Sequence, residues 1–218
     1  MAGNCAHWPA SALASGCTAA ATLRSAQIPD RIRIDGVEHA LNTNPLEPVL
    51  RDSKWRPPAD AAISSANWRG YLADWEVTGG QLVLRDVTIR VFDGSSGRSR
   101  SILGELFPEA EAPVPADWYS GALIIPEGKV TNYVHMGYGS TYERYQLLRI
   151  KAERVVEHLR MTQDGFERYR EQKFDAFKRT DAYRAAFAKI GKDYPQMPEA
   201  LRQDFLKSFY AEEYLSAD

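Results

Sequence analysis

Between Arg31 and Met161 apolar residues recur at every second position in one run after another, and the runs are parted by turn residues rather than long polar stretches. A period of two puts alternate side chains on opposite faces of an extended chain, so this segment is built to cover a sheet and not to stripe a helix. Arg31-Ile32-Arg33-Ile34 meets Val37 to Leu41 across Asp35-Gly36, a dipeptide that tolerates positive φ at both centres of a tight hairpin turn. Asn44-Pro45-Leu46 to Leu50 reads as a short helix, ended by Arg56-Pro57-Pro58. Trp68 to Phe92 reads as two long strands around Thr78-Gly79-Gly80, with Tyr71, Ala73, Trp75 and Val77 on one face. Leu82 and Leu84 have one parity and Val87, Ile89 and Val91 the other, which requires a bulge near Arg85-Asp86.

Asp93 to Arg100, rich in Gly, Ser and Arg, reads as a mobile loop. Four more strands are expected: Trp118 to Ile125, Val130 to Met136 after a turn at Pro126-Glu127-Gly128, Tyr142 to Ile150, and Arg154 to Met161. Short links favour an antiparallel meander, because parallel neighbours need long crossovers. After Met161 the period lengthens to that of a helix. Asp164-Gly165-Phe166-Glu167 has capping-box spacing, and Phe166, Tyr169, Phe174 and Phe177 form one stripe. A second helix is opened by Thr180 or Asp181 and closed by Gly191. A third starts at Pro198 and carries Leu201, Phe205, Leu206, Phe209, Tyr210 and Tyr214, an apolar face wide enough either to be packed on both sides within the chain, the favoured reading, or to dock on another protein as a subunit of a larger assembly.

These patterns give an α+β fold. An antiparallel β domain, a partly closed barrel or sandwich, occupies residues 29–161, and two or three C-terminal helices in 162–218 pack on or beside the sheet. Residues 1–28 read as a flexible leader; Ala14-Ser15-Gly16-Cys17 resembles a lipobox, but Pro9 interrupts the stretch and no basic region precedes it.

Composition narrows function by exclusion. The net charge of −2, from 27 basic and 29 acidic residues, supplies no bulk attraction for nucleic acid or for anionic membranes. Cys5 and Cys17, the only cysteines, both lie in the leader, so neither a disulfide framework nor a cysteine-rich zinc site organises the core, and a cytoplasmic location is expected. The four histidines, His7, His39, His135 and His158, have no metal-ligand spacing, and Walker, dinucleotide and nucleophile-elbow motifs do not occur. Neither metal nor cofactor is expected.

Trp68-Arg69-Gly70-Tyr71 with Trp75, Leu106-Phe107-Pro108, Ala116-Asp117-Trp118-Tyr119-Ser120-Gly121, Ile125-Pro126-Glu127-Gly128 and the run Tyr133 to Ser140 with Tyr142-Glu143 resemble an uncharacterised family of bacterial β-rich proteins. The resemblance covers roughly Arg31 to Ile150. It implies a β-rich body and assigns no catalytic residue.

Two functional readings compete. Ser101 to Gly128 contains no Lys or Arg but holds Glu105, Glu109, Glu111, Asp117 and Glu127. With Trp118 and Tyr119, the residues Glu105, Glu109, Glu111 and Asp117 would form an acidic, aromatic-centred face for a basic protein partner such as a toxin domain. On this reading the chain is a soluble protein-binding module of immunity type, acting by occlusion, and not an enzyme. A solvated acidic loop held extended by prolines would show the same sequence. Trp118 is expected to be more exposed than Trp68 or Trp75. The alternative is a small enzyme or ligand-binding protein with a site around His135, Ser140 and Glu143, in which His135 is a general base, Asp117 or Glu143 orients it and Ser140 or Tyr142 is the nucleophile or acid. A histidine hydrogen-bonded beside a glycine turn would serve structure alone.

Overall fold

The structure, a computed structural model, describes residues 26–93, 96–135 and 137–217. The leader therefore lies outside the described residues except for 26–28, where Gln27 N–H donates to Gly137 C=O at 3.0 Å and Ile28 N–H to Ala66 C=O at 2.8 Å.

The chain begins with β1 (Asp30–Ile34), β2 (Val37–Leu41), α1 (Glu47–Asp52), β3 (Leu72–Thr78), β4 (Gln81–Asp93) and β5 (Ser96–Ser101). It continues through α2 (Leu103–Leu106), β6 (Val114–Pro115), β7 (Gly121–Asn132), β8 (Thr141–Lys151) and β9 (Arg154–Thr162) to α3 (Gln163–Phe177), α4 (Asp181–Asp193), α5 (Glu199–Phe209) and α6 (Ala211–Ser216). The strands form one mostly antiparallel sheet in the order β2-β1-β3-β4-β9-β8-β7, with β5 and β6 also paired to β4. One pair departs from the antiparallel expectation: β1 runs parallel to β3, Ile32 opposite Trp75, because the chain passes through α1 before returning to the other side of β1.

Local chemistry accounts for the hairpins. Asp35 and Gly36 have φ of 51° and 79°, Gly79 and Gly80 of 57° and 74°, and Ala152 and Glu153 of 42° and 60°, so three two-residue turns have positive φ at both centres. The third uses residues that disfavour this region, and neighbours hold it: Ala152 N–H donates to Ser120 Oγ at 3.0 Å and Leu82 N–H to Glu153 C=O at 2.7 Å. The expected bulge falls at Arg85, since Asp74 faces Asp86 while the next residue, Trp75, faces Leu84.

Three sequence expectations are corrected. Ser96–Ser101 is not a loop but a strand, its residues paired from Asp93↔Ser96 to Thr88↔Ser101. Pro126-Glu127-Gly128 does not turn the chain; β7 runs through it with register shifts against β8 between Glu127 and Asn132. The helix expected from Pro198 is two, α5 and α6, parted at Tyr210.

The sheet is not closed. β6 takes the edge of β4 at Val83 and Leu84, so β9 pairs with β4 only at Gln81↔Arg154 and then diverges. At the far edges one backbone bond, Asn42 N–H to Ile124 C=O at 2.9 Å, joins the chain just after β2 to β7. The two halves enclose a core that includes Ile32, Ile34, Tyr71, Trp75, Leu82, Leu84, Leu123, Ile125, Leu148 and Ile150. Strand parity gives β8 a second buried face. Leu148 and Ile150 point into that core, whereas Tyr145 and Leu147 point the other way and pack with Ala122 against Phe166, Phe174, Phe177, Leu206 and Tyr214 of the helices. Each fully buried Leu contributes about 1.5–3 kcal/mol. Thr162 caps α3 by accepting from Gly165 N–H at 3.2 Å, and Thr180 caps α4 by accepting from Tyr183 N–H at 3.1 Å. α4 continues past Gly191 to Asp193.

Gly70 has φ of +78°, and a Cβ there would stand 2.7 Å from Pro57 Cγ. Gly70→Ala is therefore expected to lower stability by at least about 1 kcal/mol, read as a fall in melting temperature. An unchanged melting temperature would mean that the Pro57 segment yields freely.

Candidate functional site

The acidic segment is held in place by its apolar minority. Val114 is buried, and β6 lies against β4 with Ala116 N–H donating to Leu82 C=O at 3.0 Å, so the chain from Pro108 to Asp117 is anchored at its C-terminal end. Its prolines and acids face outward: Glu105, Glu109, Glu111 and Asp117 are all exposed. Glu105 on α2 is partly neutralised by Arg100, with which it forms an ion pair. Beneath the acids, Phe107 stacks on Trp118 with ring centroids 5.1 Å apart, and Trp118 Nε1–H donates to Pro45 C=O at 3.0 Å. Trp118 is half-buried; among the described tryptophans the exposed one is Trp68, at 48%. Tyr119 is 4% exposed and belongs to the core, so its ring contributes to the shape under the acidic face but not to the face itself.

Pro45 leads into a buried polar cluster that motif reasoning did not assemble. Asp30, wholly buried at the start of β1, accepts from Arg69 Nη1 at 3.0 Å and from Ala73 N–H at 3.1 Å, and Trp75 Nε1 lies 3.5 Å from its other oxygen. Burial pushes the Asp30 carboxyl up, and Arg69 and these donors pull against that push. Arg69 also donates to Asn44 Oδ1 at 2.7 Å and Ile28 C=O at 3.0 Å, and its guanidinium lies 4.8 Å over the Tyr71 ring. Desolvation disfavours its charge, yet the carboxylate of Asp30 holds it above the usual arginine range. Tyr71 donates to Glu47 at 3.2 Å, and Tyr138 to Asn44 Oδ1 at 3.1 Å. From the opposite side α6 contributes Glu212, which accepts from Asn44 N–H at 3.0 Å and lies 3.2 Å from the Tyr119 hydroxyl. Burial raises the Glu47 carboxyl, and raises that of Glu212 to about 7. Tyr71, Tyr119 and Tyr138 are all held above their ordinary range, chiefly by burial. Three carboxyl groups thus surround one guanidinium.

His135, Ser140 and Glu143 each have a local partner. The Tyr133 hydroxyl and His135 Nδ1 are 2.8 Å apart on the exposed segment after β7, Ser140 Oγ accepts from Val134 N–H at 3.0 Å, and Glu143 accepts from Lys129 N–H at 3.1 Å. No hydrogen bond among the described residues joins the three to one another.

The other two described histidines sit where the sheet fails to close. Glu127 is 3.7 Å from His39 Nδ1 and accepts from Gln146 Nε2 at 2.6 Å, and Gln146 Oε1 is 2.6 Å from His158 Nε2. His39, Glu127 and Gln146, with Ile34, Asp35, Val37 and Arg160, border an open depression. Burial and the Arg160 charge lower the His158 imidazole below its usual value. Among the described residues no group of three or more His, Cys, Asp or Glu is arranged to hold a metal ion, and no helix is long and apolar enough to cross a membrane. Comparison of the chain with protein-family models, with curated proteins and with solved structures returned no match.

Proposed function

We propose that this chain is a protein-binding module that presents the acids Glu105, Glu109, Glu111 and Asp117, over the Phe107 and Trp118 rings, to a basic protein inside the cell, and that it acts as an immunity-type protein by occluding a toxin domain. The observation that carries this reading is the outward placement of four acids on a segment pinned to β4, in a stretch without Lys or Arg. A fixed acidic face steers a cationic partner and needs less ordering on contact than a free loop. An enzyme or ligand site on His135, Ser140 and Glu143 draws no support from their positions, since each is bonded to its own neighbour.

The test is capture from the native cell with tagged protein, beside the triple variant Glu109→Lys, Glu111→Lys and Asp117→Lys. One basic protein should be retained by the wild type, form a defined complex when purified, and lose its toxicity on co-expression. The variant should bind it at least about tenfold more weakly, mainly through a slower association rate, with thermal unfolding nearly unchanged. Equal binding by the two proteins, or capture of no basic protein, overturns the reading.

A further inference from the structure

We propose that Glu212 is a proton-operated latch, fastening the C-terminal helix α6 to the β domain when its carboxyl carries a proton and loosening it when the carboxyl ionises. The hydrogen-bond chain argues for this. The Tyr119 hydroxyl lies 3.1 Å from Ala122 C=O and 3.2 Å from Glu212 Oε2. It has one proton, and the carbonyl has none. Against an ionised Glu212 that single proton must serve two acceptors. With a proton on Glu212 every oxygen is matched: Glu212 donates to Tyr119, and Tyr119 donates to Ala122. The other carboxyl oxygen accepts from Asn44 N–H in either state.

The charges around the latch point the same way. Burial outweighs the bonds from Asn44 N–H and Tyr119 that favour the ionised form, and of the charges nearby Glu47 on α1 disfavours ionisation more strongly than Arg69 favours it. Arg69 is already engaged with Asp30 and Asn44. Tyr138 and Tyr119, also near the carboxyl, are neutral phenols. Glu213 beside it on α6 adds a further acid. The cations that grip α6 reach other groups: Arg149 donates to Ser216 C=O at 3.1 Å, Arg170 to the Tyr214 hydroxyl at 3.0 Å, and Lys173 to Ala217 C=O. Among the described residues no ion pair includes Glu212. Burial, the largest influence, raises the docked carboxyl to about 7 from an ordinary 4.5. A carboxyl raised on docking favours the docked state fully below its undocked value. That advantage is lost as pH climbs through the docked value.

Amide hydrogen exchange across Ala211–Ser216 in the full chain, corrected for intrinsic rate, reads the latch directly. Between pH 5.5 and pH 8.5 the opening of α6 should increase by about thirtyfold, the linkage expected for a carboxyl moving from about 4.5 to about 7. Glu212→Gln, which keeps the shape without the charge, should show protection that does not change with pH. Wild-type protection that is constant over this range, or an equal loss in Glu212→Gln, overturns the proposal. Should that variant fail to fold, carbon-detected titration of the Glu212 carboxyl in the wild type decides: a midpoint near 7 supports the latch, and one near 4.5 overturns it.

Discussion

Asp30→Ala is expected to lower the free energy of unfolding by about 3–5 kcal/mol, the cost of leaving a buried partner charge uncompensated. Its carboxylate and the Arg69 guanidinium are 0% and 1% exposed at the side chain, 3.0 Å apart, and water cannot replace either without opening the sheet. Arg69 Nε already has no hydrogen-bond partner among the described residues, so the guanidinium has little reserve once Asp30 is gone. Three elements meet at this pair: β1 through Asp30, the turn before β3 through Arg69, and the segment before α1 through Asn44. The loss should therefore appear as a lower urea midpoint for the whole domain. Adding Arg69→Met to Asp30→Ala removes the stranded charge and should recover at least half of the loss, because buried pairs are often replaceable by apolar groups of similar volume. A double variant no more stable than the single one would show that Arg69 contributes through Asn44 and Ile28 rather than through Asp30.

That pair was legible in the sequence only in outline. Asp30 has the parity of Ile32 and Ile34, the buried face of β1, and an acid at a core-facing position predicts a buried partner. Nothing local says that the partner is Arg69, 39 positions away, because a parallel pairing of β1 with β3 brings them together. Gln146 gives the same signal, sharing the parity of Leu148 and Ile150 in β8. His158, its neighbour on the adjoining strand β9, and His39, which reaches it through Glu127, gave none, since a polar residue on a strand is ordinarily read as solvent-facing. Glu212 was invisible as a site residue: a glutamate in a mixed-charge helix looks solvated until the helix is docked.

The fold was legible wherever a local rule decides conformation. Asp35-Gly36, Gly79-Gly80 and the parity reversal at Arg85 each have one satisfactory geometry, and each has it here. Reading failed where two local preferences compete with a distant partner. Ser96–Ser101 has loop composition, but the exposed edge of β4 supplies a strand to pair with. Pro126 removes a backbone donor and so resembles a strand terminus, yet β7 lies at the edge of the sheet, where the missing donor is tolerated. Tyr119 follows an acidic loop and resembles a surface anchor. Its burial follows from Ala116 bonding to β4 two residues after Val114 enters the core.

Phe177→Ala is expected to cost about 3–5 kcal/mol, and the way the loss appears will tell whether the helices are an appendage or part of the domain. Phe177, 5% exposed at the end of α3, is the hub of the helical layer, with ring centroids 5.6 Å from Tyr183, 6.0 Å from Tyr210 and 5.8 Å from Tyr214. Truncating it removes contacts to α4, to Tyr210 at the break between α5 and α6, and to α6. The layer is not independent of the sheet, because Tyr145 of β8 stacks on Phe166 of α3 at 4.2 Å, and Ala122 and Leu147 would otherwise face water. The four described tryptophans, Trp55, Trp68, Trp75 and Trp118, all lie in the β domain, so their fluorescence, read in a Trp8→Phe background, reports that domain, whereas circular dichroism at the helical band reports chiefly α3 to α6. If the shared face couples the two, both signals in Phe177→Ala should shift to lower denaturant together, in one transition. A helical signal that melts first while tryptophan fluorescence keeps its wild-type midpoint would instead make the C-terminal helices a separate unit, and the buried second face of β8 too weak to join them.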